Sequence, residues 1–251
     1  MNAPATDPAA ANRVLRYLAR RANGMTGADI ERVMREARRK ARSEKHPLTF
    51  ADIEAILASS KIARPDHLRF RMAIHEAGHA VARIRLELGE VTMITIDAPE
   101  GGFVAGSRDS AYEPTEELLT GILVCTLAGR AAEQELLGPI VACAGDDDTS
   151  DLAVATRLAF DMETRLGFAR DWPLLYRSTE DRTTILLQNR ELAARVNARL
   201  DNACDAAREL VVRRRPAIEF VAGELLIHDT LEGSQLDAVV TQVRKMVADP
   251  P

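Results

Sequence analysis

Cysteine is scarce in this chain. Cys125, Cys143 and Cys204 are its only three, and no pair has the C-x-x-C spacing. An odd number without that spacing argues against a disulfide framework and for reduced thiols in a reducing compartment. Aromatic residues make up 4% of the chain and apolar residues 46%. The core must therefore be built from Leu, Val, Ile and Ala, which favours helices over a β-sandwich. No apolar run reaches the roughly 18 residues of a membrane-spanning helix. Residues Met1 to Ala11 are rich in Ala and Pro without an apolar segment. They read as a disordered leader, not a signal peptide. No G-x-x-x-x-G-K-[ST] phosphate loop occurs. The formal net charge of −5 gives no overall sign of a nucleic-acid-binding protein. A cytoplasmic chain is the expectation.

The charge is uneven. Residues 1–65 hold 13 Lys and Arg against 7 Asp and Glu, a net +6, and the remainder carries −11. That shift places a boundary near residue 65. The basic run from Arg35 to Lys45 reads as a solvated helix face, or one turned to an acidic neighbour or nucleotide. The expected organisation is a leader at 1–11, a small helical domain at 12–64 and a larger domain at 65–251. In the small domain a basic helix covers 11–22. Thr26 with Asp29 caps a second helix whose inner face carries Ile30, Val33, Met34, Ala37 and Ala41. Thr49 starts a third. In the larger domain a helix runs from Asp66 to Leu88, and the β-branched run Val91–Ile96 reads as a strand. Gly101-Gly102 reads as a turn, with Phe103–Ser107 as a shorter return strand. Helices follow at about 114–137, 150–166, 189–214, 216–228 and 234–248. The fold class is mainly α with a small β-sheet.

The chemistry sits at His75-Glu76-Ala77-Gly78-His79, an H-E-x-x-H sequence on the first helix of the larger domain. At 3.6 residues per turn, two histidines four apart leave the same face and can close on one metal ion. Glu76 is placed to handle the proton of an activated water. The flanking Ala73, Ile74, Ala77, Ala80 and Val81 mark a buried helix, where polar groups need partners. A zinc ion and a catalytic water would supply them. Ala77-Gly78 is small enough to admit a neighbouring element.

A catalytic zinc normally has three protein ligands. The extended pattern H-E-x-x-H-x-x-G-x-x-H needs histidine at position 85, which is Arg85, so that class is excluded. His46, His67 and His228 have no companion motif. The third ligand is then a carboxylate on another helix, and spacing leaves two candidates. Glu133 lies on the long apolar helix, and Asp151 lies in the first turn after the acidic loop Asp146-Asp147-Asp148. Acidic residues there would also suit an ordinary helix N-terminus.

Three strings, in order and at the right spacing, resemble one family. They are His75–Ala82, Leu127-Ala128-Gly129-Arg130-Ala131-Ala132-Glu133, and Thr149-Ser150-Asp151-Leu152-Ala153-Val154-Ala155-Thr156. Together they look like the peptidase domain of the FtsH family of ATP-dependent zinc metalloproteases. Leu166-Gly167-Phe168 and Pro173–Tyr176 are similar to it too. Met25–Ile30 and Pro47–Asp52 resemble the helical lid of that family's AAA+ ATPase. The resemblance implies a helical zincin-type peptidase domain after an AAA+ lid. It implies Zn²⁺ bound by His75, His79 and Asp151, with Glu76 as the catalytic glutamate and Glu133 as a candidate support for the histidines. It implies unfolded proteins or peptides as substrates, a homo-oligomeric ring of six and coupling to an AAA+ ATPase. Two departures stand out. Ser150 takes the place of the family's asparagine before the aspartate, and an Asp-rich loop replaces Thr-Gly-Ala-Ser. With no phosphate loop, the chain alone is expected not to hydrolyse ATP. The strand Val91–Ile96 or the segment Phe103–Ser107 offers an edge for pairing with an extended substrate. The competing reading is a non-proteolytic assembly partner, or a structural-zinc subunit, of an AAA+ protease ring.

Overall fold

A computed structural model describes residues 25–60, 64–98, 101–107, 113–138, 148–177 and 182–248, with residue 141 and a few positions between 14 and 22. The leader, most of the 11–22 helix, Cys143, Asp146 and Asp147 lie outside the described residues. The chain divides into two compact units, residues 1–65 with 98–100, and residues 66–97 with 101–251.

In the first unit, α1 (Gly27–Ser43) and α2 (Phe50–Ser60) pack together. Each starts on a reciprocal cap. Asp29 N–H donates to Thr26 Oγ1 (3.3 Å) and Thr26 N–H to Asp29 Oδ2 (3.1 Å). Thr49 and Asp52 repeat the arrangement (3.4 and 2.8 Å). Such caps satisfy backbone donors that the helix itself leaves open. Val33, Ala37 and Ala41 form the buried stripe of α1, whereas Ile30, expected on the inner face, is exposed.

The second unit is built on α3 (Asp66–Arg85), which carries the H-E-x-x-H sequence. After it come β1 (Glu90–Ala98), β2 (Gly101–Ser107), α4 (Glu116–Leu137), α5 (Asp151–Thr164), α6 (Arg182–Gln188), α7 (Arg190–Arg213), α8 (Arg215–His228), β3 (Thr230–Glu232) and α9 (Gly233–Val247). Helix α3 packs on α4 and α8, and α4 packs in turn on α5 and α7. The α3–α4 seam is made of small residues: Ala73, Ala77 and Ala80 against Ala128, Ala131 and Ala132, all fully buried. Gly78 lets the helices meet, because a Cβ there would lie 2.6 Å from Ala128 O. Close backbone approach of this kind needs glycine. Helix α3 ends at Arg85, three residues before its expected end. Glu87 adopts φ +54° while Leu88 N–H bonds Arg83 O and Glu87 N–H bonds Ile84 O. That is a Schellman closure, and it stops the helix before Gly89 does.

The sheet has the order β2-β1-β3. β1 and β3 are antiparallel, with Met93 opposite Glu232, Ile94 opposite Leu231 and Thr95 opposite Thr230. Two expectations change here. Gly101 and Gly102 belong to β2 and not to a turn, and β3 is an added strand of three residues. With neighbours on both sides, β1 is the central strand; β2 is an edge. The stripes Leu192–Val196 of α7 and Ile218–Val221–Leu225 of α8 lie in the unit's own core. Glu163, buried near the end of α5, accepts from Arg195 Nε (3.0 Å) and Arg199 Nε (2.5 Å) on α7. Arg199 also donates to Phe168 O at 2.6 Å. A buried carboxylate paired twice ties α5 to α7, and with it the N-terminus that carries Asp151. Among the described residues, no helix is long and apolar enough to cross a membrane.

Candidate metal centre

His75 and His79 leave α3 one turn apart and meet Asp151 from the first turn of α5. The distances His75 Nε2–Asp151 Oδ2, His79 Nε2–Asp151 Oδ2 and His75 Nε2–His79 Nε2 are 3.0, 3.1 and 3.0 Å. The three atoms form a nearly equilateral triangle. Tetrahedral zinc with bonds of about 2.0–2.1 Å spaces its donors about 3.3 Å apart. The triangle is thus within a few tenths of an ångström of one tetrahedral face. Two imidazoles and a carboxylate are also a donor set that suits zinc.

Each histidine is held from behind. His75 Nδ1 donates to Glu133 Oε1 at 2.7 Å, and His79 Nδ1 donates to the Cys125 carbonyl at 2.8 Å. Both bonds leave Nε2 to face the shared point. Of the two carboxylates that spacing left open, Asp151 reaches both Nε2 atoms, while Glu133 stands behind His75 and bonds Arg71 Nη1 at 2.6 Å. Ser150 caps α5, accepting from Ala153 N–H at 3.3 Å. Serine does the capping work of asparagine, so the departure at this position leaves the start of α5 intact.

Electrostatics follow from burial and pairing. Burial opposes a charge on His75, but the carboxylates of Asp151 and Glu133 outweigh it and push its pKa up to about 10. Burial also works against the Asp151 carboxylate, yet the two histidines hold its pKa well below the usual range. Glu76, 5% exposed, is pushed up by burial, only partly offset by the histidines.

Two glycines shape the site: Gly129, within the string that carries the resemblance, and Gly102, expected in a turn. A Cβ at Gly129 on α4 would lie 2.6 Å from His75 Nε2 and in contact with His79 Nε2. A Cβ at Gly102 on β2 would lie 2.6 Å from Glu76 Cγ and 2.7 Å from its Cδ. The available signal was a glycine in mid-helix and one in a strand, where each costs stability and marks a close approach. His67 and His228 are exposed and lie away from the centre's donors; His228 is 3.9 Å from Glu224. His46 bonds the Pro47 carbonyl and Glu44 in the first unit.

A family model for peptidase family M41 matches residues 64–239. The chain belongs to peptidase family M41. The M41 match takes in α3, α4 and α5, the helices that bear the centre. Among curated proteins the chain is similar to "ATP-dependent zinc metalloprotease FtsH 1" of Sorangium cellulosum, 33% identical over 97% of this chain and 43% of that protein. It is also similar to "ATP-dependent zinc metalloprotease FtsH" of Chloroflexus aggregans, 27% identical over 96% of this chain and 40% of that protein. The protein of the same name from Thermus thermophilus is 29% identical over 93% of this chain and 40% of its own length. The chain thus spans about two fifths of the length of these relatives.

Proposed function

We propose that this M41 chain is a zinc-dependent endopeptidase that cleaves unfolded polypeptides. The convergence of His75, His79 and Asp151 on one point, with Glu76 beside them, carries the reading. His75, His79 and Asp151 would hold the ion, which would supply Lewis acidity to polarise a carbonyl and acidify water. Glu76 accepts a proton from the attacking water and returns it to the leaving amine nitrogen. The products are one carboxylate and one amine, with no other co-reactant. The exposed edge of β2 receives the substrate backbone as an added strand. β1 is excluded from that role, because β2 and β3 flank it. Gly102 brings β2 against Glu76, which supports the assignment. Gly102→Ala is expected to push the Glu76 carboxyl aside and lower turnover by up to about 10²-fold, with zinc retained. Metal analysis beside kcat measurements checks it.

By resemblance, residues 12–64 are the lid of an AAA+ module, and the chain acts in a six-membered ring coupled to an ATPase. Three cysteines without C-x-x-C spacing favour the reducing cytoplasm. Exposed Trp172, Leu174 and Tyr176 after α5 form the kind of apolar surface that a neighbour covers. A substrate already unfolded needs no motor, so casein tests the chemistry directly. One zinc per chain, with cleavage lost to a chelator and recovered on adding zinc, supports the proposal. A zinc-loaded chain that leaves casein intact, alone or assembled, would favour the assembly-partner reading.

Metal binding is coupled to protons. The metal-free His75 keeps its proton up to about pH 10. An ion at Nε2 must displace that proton, so zinc binding at pH 8 is expected to release at least one, and affinity rises with pH below that value. Calorimetry in buffers of different ionisation enthalpy measures the release. Zero release would contradict this account of the site.

A further inference from the structure

The two histidines are braced differently. His79 Nδ1 meets a backbone carbonyl that α4 holds in place, that of Cys125. His75 Nδ1 meets the side chain of Glu133, which has its own freedom to turn. Glu133 is 4% exposed, and with only one of its oxygens held, its carboxyl could rotate away from His75 Nδ1. That rotation would spoil its acceptance from His75. The other Glu133 oxygen, Oε2, lies 2.6 Å from Arg71 Nη1. Arg71 stands one turn before His75 on α3, so the same helix face supplies both partners of Glu133.

We infer that Arg71 is a positioning residue of the metal centre. It fixes Glu133 so that Glu133 orients His75 with Nε2 toward the shared point. The inference rests on the zinc reading of the site. Among the described residues, Arg71 bonds none of the three donors; it acts through Glu133. Groups that orient a ligating histidine in this way typically contribute about 10–100-fold to metal affinity. The centre is thus a relay of four side chains, Arg71–Glu133–His75–Asp151, crossing from α3 to α4, back to α3 and on to α5. Nothing in the H-E-x-x-H pattern points to its first member.

The test is a zinc competition titration against a chromophoric chelator on the full chain, beside thermal melting of each metal-free protein. Wild type, Arg71→Met, Arg71→Lys and His79→Ala are compared. Arg71→Met is expected to bind zinc about 10–100-fold more weakly than wild type. Arg71→Lys, which keeps a cation within reach of Glu133, is expected to recover most of that loss. A merely structural arginine would instead lower the metal-free melting temperature and leave zinc affinity alone. Unchanged affinity in Arg71→Met overturns the inference, as does an Arg71→Lys no better than Arg71→Met. A wild type that binds no more zinc than His79→Ala fails the underlying reading of the site, and the inference with it.

Discussion

Replacing Glu76 by glutamine is expected to lower casein cleavage by about 10²–10⁴-fold while the chain keeps its zinc. The substitution keeps the shape of the side chain and removes only its capacity to take a proton. Glu76 is not among the three converging donors, which come from His75, His79 and Asp151. The substitution therefore leaves all three donors in place. Stability points the same way. Glu76 is buried, and burial already disfavours its charged form. A neutral amide at that place costs less to bury than a carboxylate, so the variant is expected to melt no lower than wild type. A lost rate then cannot be assigned to unfolding. Initial rates, zinc content and melting on one preparation separate the cases. Retained cleavage would remove Glu76 as the base, and lost zinc would make it a ligand.

The long helices were legible because each buries one periodic stripe and most start on a readable cap. Thr26, Thr49, Ser150 and Asn189 each accept a hydrogen bond from the first turn that follows. What escaped was short or closed by backbone geometry. β3 spans three residues between two helices, too few to show alternation, yet Leu231 within it is fully buried. α6 spans seven residues and fully buries none; its apolar residues Ile185, Leu186 and Leu187 are consecutive, so no helical period shows. The end of α3 is set by Glu87 at positive φ, a conformation glutamate rarely takes and sequence does not announce.

The site divides in the same way. His75, Glu76 and His79 are local in sequence and legible from one helical turn. The part of Asp151 needed the resemblance, because an aspartate at a helix start has an ordinary explanation in the helix dipole. Glu133 stood open between ligand and support. Only the fold separates these roles, by placing its two oxygens on His75 and Arg71 and not on the shared point. Arg71 itself looks like any charge on a helix flank. Its importance comes from α4 crossing α3 at that turn, a tertiary fact with no local signature.

The second large effect is expected at Gly129. Alanine there is expected to weaken zinc binding, although it adds one methyl group to a helix that would otherwise welcome it. On propensity alone, Gly→Ala inside a helix gains about 1 kcal/mol. Here the new Cβ would lie 2.6 Å from His75 Nε2 and in contact with His79 Nε2, the two nitrogens that face the shared point. The methyl and an ion compete for one space. The imidazoles cannot retreat, since His75 Nδ1 is tied to Glu133 and His79 Nδ1 to the Cys125 carbonyl. Moving either ring breaks a buried hydrogen bond, and overpacking of this kind costs about 1–3 kcal/mol. Gly121 supplies the control on the same helix. A Cβ there meets only Leu88 Cδ2, at 3.4 Å. Gly121→Ala is thus expected to keep zinc and to melt at or above wild type. Gly129→Ala is expected to lose about 10–100-fold in zinc affinity, and cleavage with it. Chelator competition and melting on the two variants side by side decide it. Equal zinc affinity in both would mean that α4 does not press on the histidines, and the geometry that assigns them to one ion would have to be abandoned.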